Sequence, residues 1–259
     1  MSEMLEIGRT GRVLRIALNR PEKRNALNAE LCHTLVSAIE GGAKDAAVGA
    51  ILLTGNGPSF CAGMDLTEIG QATSDRLDQA HEQLFTVGAR LVKPLIAAVE
   101  GPALGGGTGL VANCHIVVAS EQASFGLTEI RLGLWPFLVF RAVVMAVGER
   151  RAVEMALSGR IFDAKEAEKV GFVHEIAPKA VDRALEIAQT VAAYSPTSIR
   201  SGMMFLQEAR ERSPRDAGDL ARMVRREIFE SDDFQEGIRA FREKRKPKWP
   251  SLAGVGDEM

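Results

Sequence analysis

Two glycine-containing loops carry the residue types that suit the stabilisation of a negative charge. The first follows the apolar run 94–99 and contains three consecutive glycines, Gly105, Gly106 and Gly107. The run is short and bounded by turn residues, which predicts a buried strand that leads into a helix from Thr108. Backbone N–H groups at a helix start lack partners, and glycines leave them unshielded. This join therefore predicts a site for a phosphate or for an oxyanion.

A nucleotide phosphate is not the predicted ligand. A dinucleotide-binding fingerprint that starts at Gly105 needs a glycine where Leu110 stands, and no Gly-Lys-Ser/Thr triplet follows for a P-loop. A second glycine loop at residues 62–65 (Ala-Gly-Met-Asp) also lies between a strand pattern and a helix pattern. Two such loops can direct two backbone N–H groups at one carbonyl oxygen. An oxyanion hole for acyl chemistry is therefore the alternative to simple close packing of a helix on a strand.

Strand and helix patterns alternate until about residue 176. Strands are predicted over residues 13–18, 48–53, 94–99, 115–119 and 171–176. Asn28 is a predicted N-cap, and Ser195-Pro196 and Ser213-Pro214 each place proline at a first helical position. From residue 179 only helices are predicted, which indicates an α/β core with a C-terminal helical region.

The composition excludes several classes of function. The formal net charge of −2 over 259 residues argues against a general nucleic-acid binder. No apolar run approaches the roughly 20 residues that a membrane helix needs. Residues 1–10 show no apolar signal core, and Cys32, Cys61 and Cys114 have neither metal-type spacing nor an even count. We therefore expect a cytoplasmic protein with no membrane or nucleic-acid partner.

Five segments in order resemble the enoyl-CoA hydratase/isomerase (crotonase) superfamily. They are residues 18–27 (Leu-Asn-Arg-Pro through Asn-Ala-Leu), 60–66, 93–110, 125–130 and 237–249. The resemblance implies a crotonase-like spiral of ββα units over residues 1–195. It also implies a helical region over residues 196–259 that caps the CoA site and builds a homotrimer or a dimer of trimers.

The same resemblance implies roles for individual residues. The N–H groups of Met64 and Gly106 would form the oxyanion hole, and Glu129 would be the catalytic acid/base. A carboxyl group in an apolar pocket has a raised pKa, which suits proton transfer near neutral pH. Predicted substrate and CoA contacts are Lys23, Arg24, Ala26, Ala62, Asp65, Leu66, Trp135, Phe137, Phe241 and Lys244. Coenzyme A is part of the substrate, so neither a separate cofactor nor a metal is expected.

The C-terminal basic run has two interpretations. Arg242, Lys244, Arg245, Lys246 and Lys248 offer cations for the CoA phosphates, including those of CoA bound to a neighbouring subunit, or form a solvated tail. The four histidines form no catalytic constellation. His115 and His174 are predicted to be structural, whereas His33 and His81 are predicted on helix surfaces.

Gly109 departs from the family pattern, because hydratases of the standard type carry a second glutamate there. Hydration of a 2-enoyl-CoA in fatty-acid or related acyl-CoA metabolism is the predicted reaction. Δ3-Δ2-enoyl-CoA isomerisation by Glu129 alone is the alternative within the family. A catalytically weak acyl-CoA-binding or RNA-binding homologue is the alternative of another class. The bulky segment after Glu129, residues 134–140, is expected to narrow and dry the acyl pocket.

Overall fold

The computed structural model describes residues 4–68 and 74–254. The predicted spiral core (residues 1–195) includes residues 1–3 and 69–73, and the predicted helical region (residues 196–259) includes residues 255–259. These residues lie outside the described ranges. The strands are β1 (Leu5–Thr10), β2 (Val13–Leu18), β3 (Ala50–Gly55), β4 (Leu95–Val99), β5 (Ala103–Leu104), β6 (Ile116–Ala119), β7 (Ser124–Gly126), β8 (Phe162–Asp163) and β9 (Glu175–Ile176). The helices are α1 (Ala29–Lys44), α2 (Ser74–Thr86), α3 (Gly106–Ala112), α4 (Phe137–Val147), α5 (Glu149–Ser158), α6 (Ala164–Lys169), α7 (Ala180–Ala192), α8 (Pro196–Ala209), α9 (Pro214–Glu230) and α10 (Asp232–Arg242).

The strands form two sheets. The larger has the order β1-β2-β3-β4-β6-β9 and is parallel except for the antiparallel pair β1 and β2. The smaller has the order β5-β7-β8. Two isolated parallel bridges, Leu27 with Met64 and Cys61 with Ala103, tie the loops after β2 and β3 to the start of the smaller sheet.

The central strands are buried because helices cover both faces of the larger sheet. On one face, side chains of β2, β3 and β4 pack with α1 and α2 in the main core. On the other face, Val13, Leu52 and Ile96 pack against α7, which presents Ala180, Ala184, Ala188 and Ala192 at intervals of four. Side chains this small let the helix lie close to the strands.

Local signals at the helix starts are confirmed. Asn28 accepts a hydrogen bond from Leu31 N, and Ser195 and Ser213 cap α8 and α9 with proline at the first position. The strand predicted over residues 171–176 is mostly wrong, because the turn after α6 occupies its first half and only β9 pairs. None of the helices in the described ranges is long and apolar enough to cross a membrane.

Candidate active site

The loop at Met64 is held by a parallel bridge to Leu27. Leu27 N donates to Gly63 O at 2.8 Å, and Asp65 N donates to Leu27 O at 3.0 Å. In a parallel bridge this pattern turns the N–H and C=O of the central residue away from its partner. The Met64 N–H therefore points away from Leu27, and within residues 4–68 and 74–254 it donates to no protein acceptor.

The second glycine loop leaves another amide without a partner. Gly105 caps α3 with a φ of 53°, a left-handed conformation that favours glycine, and its N–H donates to Gly126 O. Gly106 is the first helical residue, and the first bond along α3 runs from Gly109 N to Gly105 O. Its N–H is therefore one of the unpaired donors of a helix start, with no acceptor among the described residues.

The two loops meet at Gly63. This residue has a φ of 94°, and a Cβ built on it would lie 2.8 Å from Leu104 O and 3.2 Å from Gly106 N. Only a residue without a side chain lets the backbones approach so closely. Met64, immediately after Gly63, and Gly106 both line one cavity. The structure thus brings together the two predicted donors.

The cavity has a volume of 440 Å³, within the usual range for a small-molecule site. One wall is α2, which contributes Asp78, Gln79, His81, Glu82 and Phe85. The other is the segment from residue 134 to 139, which includes the predicted contacts Trp135 and Phe137. The apolar surface around the two amides is what strengthens their interaction with a developing charge.

Glu129 supplies a carboxylate to the same cavity. It lies in the first turn of the 3-10 helix Glu129–Leu132, directly after β7. Its Oε2 atom is buried and has no hydrogen-bond partner in the described part of the chain. Burial disfavours the charged form and raises the pKa of Glu129 above its ordinary value of 4.5. A carboxyl group in this state suits proton transfer to or from a bound molecule.

Gly109 cannot carry a second carboxylate in this packing. A Cβ built on it would lie 2.2 Å from Val139 Cγ1 and 2.5 Å from Val139 Cβ. Val139 is on α4, is 3% exposed and packs in the main core, so an added Cβ would have to displace a core side chain. The packing of α3 against α4 therefore fills the space that a side chain at position 109 would need.

The predicted CoA contacts near the first loop fall into two groups. Lys23 and Arg24 are exposed, and Leu66 is 51% exposed. Ala26 is partly buried, and Ala62 N donates to Arg24 O, which ties the 3-10 helix Pro21–Lys23 and its following turn to the Met64 loop.

Asp65 is 6% exposed and serves the loop itself. It pairs with Arg20 at 3.1 Å and accepts hydrogen bonds from the Thr67 backbone and hydroxyl.

The C-terminal contacts do not join the cavity within one chain. Phe241 is 83% exposed and Lys244 is exposed, and neither belongs to the cavity wall formed by the described residues. Arg245, from the predicted basic run, already has carboxylate partners within the chain. It pairs with Glu236 at 2.6 Å and with Glu243 at 2.6 Å.

The sequence predicted His81 on a helix surface, and this prediction is wrong. It is 4% exposed, its Nε2 lies 3.4 Å from Leu27 O, and its ring packs near Phe85. Burial lowers the pKa of His81. Its spacing from Leu77 and Leu84 places it on the apolar face of α2, and this spacing was the signal that could have revealed it.

The structural roles predicted for two other histidines are confirmed. His115 Nδ1 accepts from Leu95 N at 2.9 Å, and His174 Nδ1 accepts from Val117 N at 3.1 Å. Both rings bond neighbouring strand backbones outside the cavity that contains Glu129.

Comparisons with known proteins agree on one family. The family model of enoyl-CoA hydratase/isomerase matches residues 8–251. The 2,3-dehydroadipyl-CoA hydratase of Escherichia coli is 36% identical over 251 residues, which are 95% of this chain and 98% of that protein. The mevalonyl-coenzyme A hydratase of Aspergillus fumigatus is 36% identical over 248 residues, 93% of this chain and 92% of the relative. The crystal structure of an enoyl-CoA hydratase from Mycobacterium smegmatis superposes with a TM-score of 0.90 at 30% identity, covering 96% of this chain and 99% of that one.

Proposed function

The chain belongs to the enoyl-CoA hydratase/isomerase family, and from this premise we propose that it adds water to the double bond of a 2-enoyl-CoA thioester. One observation carries the proposal. Met64 and Gly106, whose amides have no acceptor among the described residues, line the same cavity as the buried carboxyl group of Glu129. Relatives named as hydratases of two different acyl-CoA substrates support hydration as the reaction.

In the proposed reaction the thioester oxygen lies between the N–H groups of Met64 and Gly106. Ionised Glu129 removes a proton from water as the water oxygen bonds to Cβ, and the electrons of the double bond move onto the thioester oxygen. The two amides stabilise this enolate. The electrons then return, Cα takes the proton from Glu129, and the carboxylate is regenerated. Because one group both accepts and delivers the proton, the hydroxyl and the hydrogen add to the same face.

Isomerisation of a 3-enoyl-CoA is the second candidate, and the packing at Gly109 favours it. A shift of the double bond moves a proton from C2 to C4 through the same enolate and needs only one carboxylate. Val139 excludes a second carboxylate from position 109, so Glu129 is the residue to which we assign that proton. Both reactions use the same oxyanion hole.

The function is tested by assaying the purified protein with crotonyl-CoA and with 3-hexenoyl-CoA. We expect water addition to crotonyl-CoA, seen as loss of the conjugated-thioester absorbance and as 3-hydroxybutyryl-CoA by mass spectrometry. Conversion of 3-hexenoyl-CoA without hydration of crotonyl-CoA would instead support the isomerase. Tight acyl-CoA binding without turnover of either substrate would favour a non-catalytic acyl-CoA-binding protein. An RNA-binding homologue would have to bind RNA at physiological salt.

The pH dependence of hydration follows from the buried carboxyl group. Glu129 must be ionised to accept a proton from water, and burial raises its pKa above 4.5. We therefore expect kcat/KM for crotonyl-CoA to rise with pH through an acid limb whose midpoint lies above 4.5. The folded protein holds this proton more tightly than the unfolded chain does. The stability that Glu129 contributes is thus fully present below pH 4.5 and is lost as pH rises through its raised pKa. An acid limb at or below pH 4.5 would contradict the assignment.

We extend the proposal to a homotrimer or a dimer of trimers. In the single chain, large apolar side chains are exposed on the C-terminal helices. These include Met204 and Leu206 on α8, Met223 and Phe229 on α9, and Phe241 on α10. Exposed large apolar side chains of this kind are typical of association surfaces. Sedimentation analysis of the full chain tests this.

A further inference from the structure

The cavity wall carries a polar side chain that the mechanism above does not use. His81 lies on α2, is 4% exposed and forms part of the cavity lining together with Glu129. Gln79, Asp78 and Glu82 also reach the lining, but these residues are exposed and their polar groups are solvated. His81 is thus a buried polar residue in the wall of the cavity that contains Glu129.

One nitrogen of His81 is held by the oxyanion-hole loop. Nε2 lies 3.4 Å from Leu27 O, and Leu27 is the residue that bridges Met64. A carbonyl oxygen can only accept, so the proton of the neutral ring belongs on Nε2. Nδ1 then keeps its lone pair, and in residues 4–68 and 74–254 it has no hydrogen-bond partner.

The surroundings keep the ring neutral. Burial lowers the pKa of His81, although the hydrogen bond to the Leu27 backbone and the carboxylates of Asp78 and Glu68 oppose this effect. Glu68 is engaged with Ala29 N at 2.9 Å, and Glu129 and Glu82 are the other titratable groups in the cavity lining. A neutral imidazole with Nε2 protonated presents an acceptor at Nδ1.

A water molecule in this cavity needs two acceptors. Glu129 takes one of its hydrogens in the proposed reaction, and the other would be left unpaired in an apolar space. Position 109 on α3 is a glycine, and Val139 fills the space beside it, so α3 offers no side-chain acceptor there. The second acceptor must come from another element.

We propose that Nδ1 of His81 accepts a hydrogen bond from the attacking water and holds it for attack on Cβ. His81 gains and loses no proton. The water gives its other hydrogen to Glu129, its oxygen bonds to Cβ, and Cα later takes the proton back from Glu129. This inference rests on the proposed hydration and names the residue that positions the water.

The test separates water positioning from support of the fold. Exchange of the Cα hydrogen of butyryl-CoA with deuterium oxide requires Glu129 and the oxyanion hole but no attacking water. In His81→Phe, which keeps a ring beside Phe85, we expect the kcat for crotonyl-CoA hydration to fall roughly 10-fold to 10²-fold, while Cα exchange changes little. His81→Asn places an oxygen near the position of Nδ1 and should recover most of the hydration rate.

Each outcome shows whether His81 positions the attacking water. Equal losses of hydration and exchange in His81→Phe would mean that the ring only supports the Leu27–Met64 bridge, and unchanged hydration would mean that it plays no part. Either result overturns the inference and leaves the proposed function intact. If His81→Phe does not fold, the comparison is between His81→Asn and His81→Gln at equal rates of Cα exchange. The inference then requires a higher hydration rate in His81→Asn, and equal hydration rates overturn it. A wild-type protein that exchanges Cα hydrogen but hydrates no 2-enoyl-CoA overturns the proposed function and this inference with it.

Discussion

Glu129→Gln abolishes turnover of crotonyl-CoA while leaving its binding intact. The amide keeps the shape of the carboxyl group but can neither accept the proton of water nor deliver it to Cα. We expect kcat to fall by roughly 10² to 10⁴, the usual contribution of a general acid–base group, and Kd for an acyl-CoA to change little. Steady-state hydration and isothermal titration with butyryl-CoA measure the two quantities.

The matched control for this variant is Glu121→Gln. Glu121 is an exposed carboxylate in the turn between β6 and β7, so the same chemical change there should leave kcat unaltered. The carboxylate removed in Glu129→Gln is buried, and its Oε2 atom has no hydrogen-bond partner in the part of the chain that the structure describes, so the thermal midpoint at neutral pH should hold or rise. A Glu129→Gln protein that retained more than a tenth of the wild-type kcat would remove Glu129 from the mechanism.

Installing the family's second glutamate by Gly109→Glu destabilises the protein and creates no second catalytic carboxylate. Even the first atom of the new side chain would lie 2.2 Å from Val139 Cγ1, and α4 would have to move. We expect Gly109→Ala alone to lower the free energy of unfolding by about 1–3 kcal/mol, with a larger loss for Gly109→Glu. Urea denaturation followed by circular dichroism gives these values.

Gly202 provides the control for the backbone effect. It lies on the exposed side of α8, where an added Cβ would meet nothing within 4 Å. Gly202→Ala should therefore stabilise the protein, by roughly 0.5–1 kcal/mol, since alanine favours a helix more than glycine does. The contact with Val139 is tested by making Gly109→Ala in a Val139→Gly background, which lacks both overlapping atoms. There Gly109→Ala should cost less free energy of unfolding than it does in the wild-type background. Equal stability of Gly109→Ala and Gly202→Ala would show that α4 yields to the new side chain.

Much of the fold could be predicted from short segments. The crotonase-like fold inferred from five segments is confirmed by the family match over residues 8–251 and by the superposition on a solved hydratase. The caps at Asn28, Ser195 and Ser213 were predictable because each depends on a side chain and a backbone group a few residues apart. Both glycine loops could be predicted as well, because each is a short run of residues between a strand pattern and a helix pattern.

Pairing between strands decided two segments that the sequence patterns did not predict correctly. β1 has an exposed pattern with only Leu5 buried, and it is a strand because it pairs with β2 at the sheet edge. The strand expected over residues 171–176 had the right composition. However, its first half turns back after α6, whereas His174 N donates to Val117 O of β6, and Glu175 and Ile176 pair with β6 in register.

The family, the two glycine loops and the match of Glu129 to a family segment could all be read from the sequence, since these depend on residue identity at fixed spacings. Tertiary structure alone decided how Gly63 lets the two loops meet and why Gly109 must stay a glycine. It also decided that His81 lies in the cavity rather than on the surface. The physical reason is common to all three. Each depends on which atoms of a distant element occupy the neighbouring space, and that is set only when α2, α3 and α4 pack together.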